Sequence, residues 1–244
     1  TIFNAPLIIF ALLYQKDFKT VRTIFMLFAK IEFINLLPFH IYMKKNIKSN
    51  QQKAILEYKK SYPSLITNKF KTRKVHSAFI SSIESRNEKF LDLGIVAHDE
   101  VLSVLLVPGE QKEDYQSKTS NALAKVLDLK GEVIIGDKAL KFYHDYPNIL
   151  KIDLAKAWQK KYNLPFVFAV LCYNKHETQL KNLTKKFKKS HIKIPQYILE
   201  QYSKRSGVSK QNILDYLKKI DYDLGIKEKR ALKLFLKLAQ KKGL

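Results

Sequence analysis

From about residue 26 onward, short apolar runs alternate with segments of helical length. Ala29, Ile31, Phe33 and Ile34 supply the β-branched and aromatic bulk of a buried strand, which stops at Asn35 where the chain must turn, with Pro38 placed to open a helix. Residues 55 to 58 form a short second strand. Pro63 then suits the first position of a helix reaching about Phe70, with Ser61 or Tyr62 ahead of it. The run from Val75 to Ser82 is a third strand, apolar until it ends in the paired serines Ser81 and Ser82. Strand, helix, strand, helix, strand predicts a parallel sheet with helices on its faces.

Two more strands follow at residues 93–97 and 101–107, the second broken by Pro108-Gly109. A helix from Ser117 to Leu127 crowds hydroxyl residues at its start; a short strand at 133–135 leads to Gly136-Asp137; Asp153 caps a helix carrying Ala157 and Trp158; and Phe166 to Tyr173 is a long apolar strand. This order predicts an α/β chain of two lobes, the chain leaving lobe one and coming back to it. Lobe one takes residues 26–107 plus 171–244, and lobe two takes 108–170. Residues 1–25 differ from the rest: the apolar run from Ala5 to Tyr14 contains Pro6 and is too short to span a bilayer. They are expected to be an extension outside the core fold, with Met26 as the natural start and no stable membrane association. From Asn174 the chain is helical and basic, and Ile226 to Ala239 sets Ala231, Leu234, Phe235 and Leu238 on one stripe, with Gly243 just beyond.

Composition adds two constraints. One cysteine in 244 residues, Cys172 among Phe168, Val170, Leu171 and Tyr173, excludes an internal disulfide framework and reads as a core thiol of a reducing compartment. The six histidines show no metal-ligand spacing, so no metal and no cofactor is expected. The net charge of +23 invites an anionic partner, but only five of the 45 basic residues are arginine, the side chain suited to reading phosphates and bases. Residues 198–217 resemble a helix-turn-helix with Gly207 in the turn, a pattern that any two packed helices joined by glycine produce.

Candidate chemistry collects at strand ends and one helix start. Thr119, Ser120 and Asn121 open the helix after Ser117, where unpaired amides and the positive end of the dipole favour a carboxylate or phosphate; an ordinary N-cap with spare hydroxyls fits the same residues. Asn35 and the Ser81-Ser82 pair end strands of the other lobe, so a cleft between lobes would be lined by neutral polar groups. Gly136-Asp137 could form a further wall, and Asp137 fits a helix cap equally well. Glu84 is the nearest carboxylate base, and suits a first helical turn as readily.

Taken in order, Phe33-Ile-Asn-Leu-Leu-Pro38, Ala78-Phe-Ile-Ser-Ser-Ile-Glu84, Leu93-Gly-Ile-Val-Ala97, Thr119-Ser-Asn-Ala-Leu-Ala124, Ile135-Gly-Asp-Lys-Ala-Leu140 and Leu164-Pro-Phe-Val-Phe168 resemble the chorismate dehydratases of the futalosine route to menaquinone. The Ser-Pro-Cys-Pro-Asn-type opening of the sister family, 1,4-dihydroxy-6-naphthoate synthase, is absent, and Asn35-Leu-Leu-Pro38 stands in its place. The resemblance implies a two-lobed fold like that of type II periplasmic binding proteins, with the helical C-terminal region packed on lobe one. It also implies a cytoplasmic lyase that dehydrates chorismate to 3-[(1-carboxyvinyl)oxy]benzoate. The roles expected on this basis are Asn35, Ser82 and Glu84 in catalysis, with a bound water or a carboxylate of the substrate as the other candidates for proton acceptor, and Asn35, Ser81, Ser82, Thr119, Ser120, Asn121, Gly136 and Asp137 in substrate binding. Two other classes stay open at this point: a non-catalytic solute-binding protein for a small anion, and a DNA-binding protein using the C-terminal helix pair.

Overall fold

The first apolar run enters a sheet, and the turn that ends it leads straight into a helix. The computed structural model describes residues 28–29, 31, 33–46 and 63–244; the expected strand at 55–58 and the expectations for residues 1–25 and Met26 lie outside these. In chain order the elements are β1 (Phe28–Ala29), a 3-10 turn (Ile34–Leu36), α1 (Leu37–Asn46), α2 (Pro63–Lys71), β2 (Ser77–Ser81), a second 3-10 turn (Ser82–Ser85), β3 (Phe90–Ala97) and β4 (Val104–Pro108). There follow α3 (Lys118–Val126), β5 (Gly131–Ile135), α4 (Gly136–Asp145), β6 (Ile152–Asp153), α5 (Leu154–Tyr162) and β7 (Phe166–Tyr173). The chain ends with α6 (Glu177–Lys188), α7 (Gln196–Ser206), α8 (Lys210–Leu217), β8 (Asp221–Asp223) and α9 (Ile226–Lys241). Pro63 is the first residue of α2, as its fixed φ and missing donor favour.

Among the described residues the strands form two sheets, ordered β1-β2-β7-β3-β8 and β5-β4-β6. The parallel expectation holds only for β1 against β2. When β7 returns it inserts between β2 and β3 and runs antiparallel to both, β8 joins β3 antiparallel, and the smaller sheet is antiparallel throughout. The crossing points also differ from the expected ones. Strand β4, expected in lobe one, pairs with β5 and β6, while the whole of β7 lies in the larger sheet. An apolar run buried on both faces suits either sheet, so its partner cannot be read from its pattern.

The outward crossing is clamped by Asp153. One carboxylate oxygen accepts from the amides of Val101 at 2.9 Å and Leu102 at 2.7 Å; the other caps α5 through the amides of Ala155 and Lys156. This holds Leu102 at φ +60, a left-handed conformation that a leucine adopts only when its neighbours impose it. The return crossing is fixed by Trp158, fully buried on α5. Its ring meets Phe166 of β7 and Phe235 of α9 edge-on, and its Nε1 donates to the carbonyl of Pro165 at 3.1 Å. Helix α9 packs on β7 and also on α3, so it ties the two sheets together as well as covering the larger one. One apolar core runs continuously through both sheets, with a small satellite of Leu105, Ile134 and Ala139.

The helix-turn-helix-like segment is α7 and α8, joined at Gly207 with φ +70. Helix α8 turns Ile213 and Tyr216 into the body of the protein and leaves Lys210 and Gln211 exposed.

Candidate active site

Asn35 stands where β1 gives way to α1, and its backbone is gripped by the rest of the molecule. The hydroxyl of Tyr222 donates to the Asn35 carbonyl at 2.5 Å, and the preceding amide, that of Ile34, donates to Asp137 Oδ1 at 3.0 Å. The side chain is treated differently. Its Oδ1 is buried and has no hydrogen-bond partner among the described residues. Such an orphan costs about 1–3 kcal/mol, and a group held this firmly yet left unsatisfied is what a ligand-binding position looks like before the ligand arrives.

Asn35 faces a cavity between the two sheets. The larger sheet contributes Asn35 and Ser81; the smaller sheet and its connections contribute Ser103, Ser117, Ser120 and Gly136; Phe33, Ile95, Ile135 and Phe168 make apolar walls. No ionisable side chain lines it among the described residues. A few polar groups on an apolar ground suit a small planar ligand.

The serines are placed by helix geometry and by buried tyrosines. Ser117 is the N-cap of α3, its Oγ accepting from the Ser120 amide at 3.2 Å and lying 2.9 Å from the Ser120 hydroxyl. Positions 117 and 120 share a face, so both reach the cavity. The amides of Lys118 and Thr119, in the first turn, have no acceptor within the helix. Ser103 is paired with the hydroxyl of Tyr216 at 2.8 Å. Burial pushes the Tyr216 hydroxyl far above its ordinary value, against a smaller opposing effect of Ser103, and the Asn35 amide also bears on it. Tyr222 is raised by burial too, so both phenols stay protonated at any working pH.

Gly136 is required by its position. It sits at φ +65, a side chain there would meet the Phe33 ring at 3.0 Å, and its amide donates to the Ser103 carbonyl at 2.8 Å.

Five expected site residues stand outside the cavity lining. Ser82 is fully buried and donates to the Val167 carbonyl at 2.5 Å, joining the second 3-10 turn to β7. Thr119 faces the other way on α3, where its Oγ1 accepts from the Ile83 amide at 3.0 Å. Asn121 folds the preceding loop onto α3 through the Asp114 amide and carbonyl. Asp137 lies behind Asn35, bridging the Ile34 amide to Arg205 at 2.7 Å. Glu84 is held between Lys71 at 2.5 Å and Lys118 at 2.8 Å. Burial pushes its carboxyl up, but hydrogen bonds and charge from the two lysines outweigh this, so it titrates below the ordinary carboxylate range and is a weakened base. Ser103, Ser117, Tyr216 and Tyr222 were not singled out by the sequence. Ser117 carried a signal, the N-cap position, whereas a lone serine or tyrosine in an apolar run carries none.

A family model described as "Menaquinone biosynthesis" matches residues 112–241. The Campylobacter jejuni (subsp. jejuni serotype O:23/36, strain 81-176) protein named "Chorismate dehydratase" is 47% identical over 216 residues, which cover 87% of this chain and 96% of that protein. Among solved structures, protein AF1704 from Archaeoglobus fulgidus superposes with a TM-score of 0.57 at 12% identity, covering 88% of this chain and 97% of that one, a likeness of fold.

Proposed function

This chain belongs to the menaquinone-biosynthesis family that includes chorismate dehydratase, and we propose that it is a lyase converting chorismate to 3-[(1-carboxyvinyl)oxy]benzoate and water. The observation that carries the reading, beside family membership, is the unsatisfied Asn35 Oδ1 facing a neutral, hydroxyl-lined cavity.

Chorismate is a cyclohexadiene bearing two carboxylates, an enol ether and a neighbouring ring hydroxyl. The ring carbon at the ether loses its hydrogen as a proton, the C–O bond to the adjacent hydroxyl breaks, and the electrons freed from the C–H bond become the third double bond of a benzene ring. Aromatisation supplies the driving force, so the protein's task is to orient the ring, exclude water and help the hydroxyl depart. In this proposal Phe33, Ile95, Ile135 and Phe168 sandwich the ring, while Ser117, Ser120 and the free amides of α3 hold a carboxylate. Asn35, with Ser81 and Ser103 around it, binds the departing hydroxyl.

None of these side chains titrates near neutral pH. Glu84, engaged by two lysines and outside the lining, is set aside as the base, and proton removal falls to a carboxylate of the substrate or to water. Ser82, Thr119, Asn121 and Asp137 act by holding the lining residues in place. The two sheets serve as the two lobes, with crossings near residues 98–103 and 163–165, and a cytoplasmic setting belongs to the same reading. Incubating the protein with chorismate and following the aromatic product by absorbance and mass tests the whole; binding without product points instead to a solute-binding protein.

A further inference from the structure

The reaction cavity lacks a cation among its described lining residues, yet its substrate in the reading above carries two negative charges. Beside it lies a second hollow, which shares Pro63 and Ser81 with the cavity wall. Three charged side chains line that hollow: Lys71 at the end of α2, Lys118 at the start of α3, and Glu84 between them. Each Glu84 oxygen is taken by one lysine, Oε2 by Lys71 and Oε1 by Lys118. The carboxylate is mostly covered, its side chain 17% exposed, while the lysines stand 44% and 70% exposed. The group carries one net positive charge and joins α2 and the second 3-10 turn to α3, across the line between the sheets.

We infer that this cluster is the entrance to the cavity: Lys71 and Lys118 recruit the anionic substrate, and Glu84 is a built-in competing carboxylate that limits how strongly they hold it. The inference rests on the proposed chorismate reaction. Two carboxylates cannot share one lysine pair at full strength, so an incoming substrate carboxylate draws a lysine from Glu84 and then passes inward to the neutral donors beyond Ser81. A cation pair that kept its hold would slow this transfer. A mouth whose attraction is partly cancelled steers without trapping.

The inference assigns Glu84 the opposite sign from a catalytic base. Steady-state kinetics on chorismate at low and high salt separate them, using wild type, the double variant Lys71→Ala/Lys118→Ala, Glu84→Gln, and a same-charge control, Lys185→Ala/Lys189→Ala, exposed at the end of α6 and lining neither hollow. The double lysine variant is expected to lose about tenfold in kcat/KM at low salt, through KM, with much of the wild-type salt dependence gone. Glu84→Gln is expected to raise kcat/KM at low salt with kcat retained, and the control to match wild type. Melting curves on each variant separate loss of fold from loss of recruitment, and Glu84→Asp, which keeps the charge, should restore wild-type kinetics. An active wild type with an unchanged double lysine variant overturns the inference alone, as does a Glu84→Gln variant that folds but loses kcat. A wild type that leaves chorismate untouched overturns the reading beneath it as well.

Discussion

Replacing Asn35 with alanine separates two costs that usually travel together. Its Oδ1 makes no bond among the described residues, so alanine removes an unsatisfied group and gives up only the contact of the side-chain amide with the Tyr216 hydroxyl, and the melting temperature should change little. Turnover should fall by about a hundredfold or more, the scale seen when one preorganised hydrogen-bonding group is lost. Activity and melting measured on the same preparation check both halves. Glu84 carries a second residue-scale prediction. Because Lys118 and Lys71 hold its folded-state carboxyl below the usual range despite its burial, its contribution to stability is present above the unfolded-state value and is lost as pH falls through the lowered folded value. The stability gap between wild type and Glu84→Gln should therefore be constant near neutral pH and close in acid; urea titrations at a series of pH values read this directly. At this scale the sequence placed Ser81 at a strand end, where it lies, whereas the strand expected to run to Asn35 stops at Ala29 and Asn35 sits in the 3-10 turn beyond it. Sequence reading served badly where the side chain's direction decides the role. Ser120 and Thr119 are adjacent hydroxyls with the same signal, yet about 100° of helical rotation sends one to the cavity and the other to the Ile83 amide.

At the scale of elements, β7 was legible to the residue, since an unbroken apolar run bounded by Pro165 and Asn174 allows little else. The start of helix α5 was legible from its Asp153 cap. The two-residue β6 and three-residue β8 were not, because pairing and not propensity makes such short strands. The β4 run was recognised as a strand but placed in the wrong sheet, because a doubly buried strand does not name its neighbours. The Asp153 carboxylate is the element-scale joint on which the site depends, since the loop it pins leads to Ser103. Asp153→Asn keeps one acceptor and places an amide group against backbone donors. It is expected to cost about 2–3 kcal/mol. Denaturant unfolding measures that loss, and a KM increase in the folded variant should accompany it as Ser103 loosens.

For the whole molecule, the two-lobed plan with a polar cleft was readable because the polar clusters fall at strand ends and at a helix start, the places where α/β layers leave donors free. The sheet directions were not, since the chain must leave and come back before β7 can separate β2 from β3, a long-range event without a local signature. The same topology explains why the cavity is neutral inside and charged at its rim: strand ends and a helix cap furnish hydroxyls and amides, while the lysines of α2 and α3 stay in contact with water. The most direct measurement is single-turnover mixing of the purified protein with chorismate, read by mass and absorbance, beside the Asn35→Ala variant. The result expected is stoichiometric 3-[(1-carboxyvinyl)oxy]benzoate from the wild type and almost none from a variant that is fully folded. Chorismate recovered unchanged from the wild type, or equal product from both proteins, contradicts it.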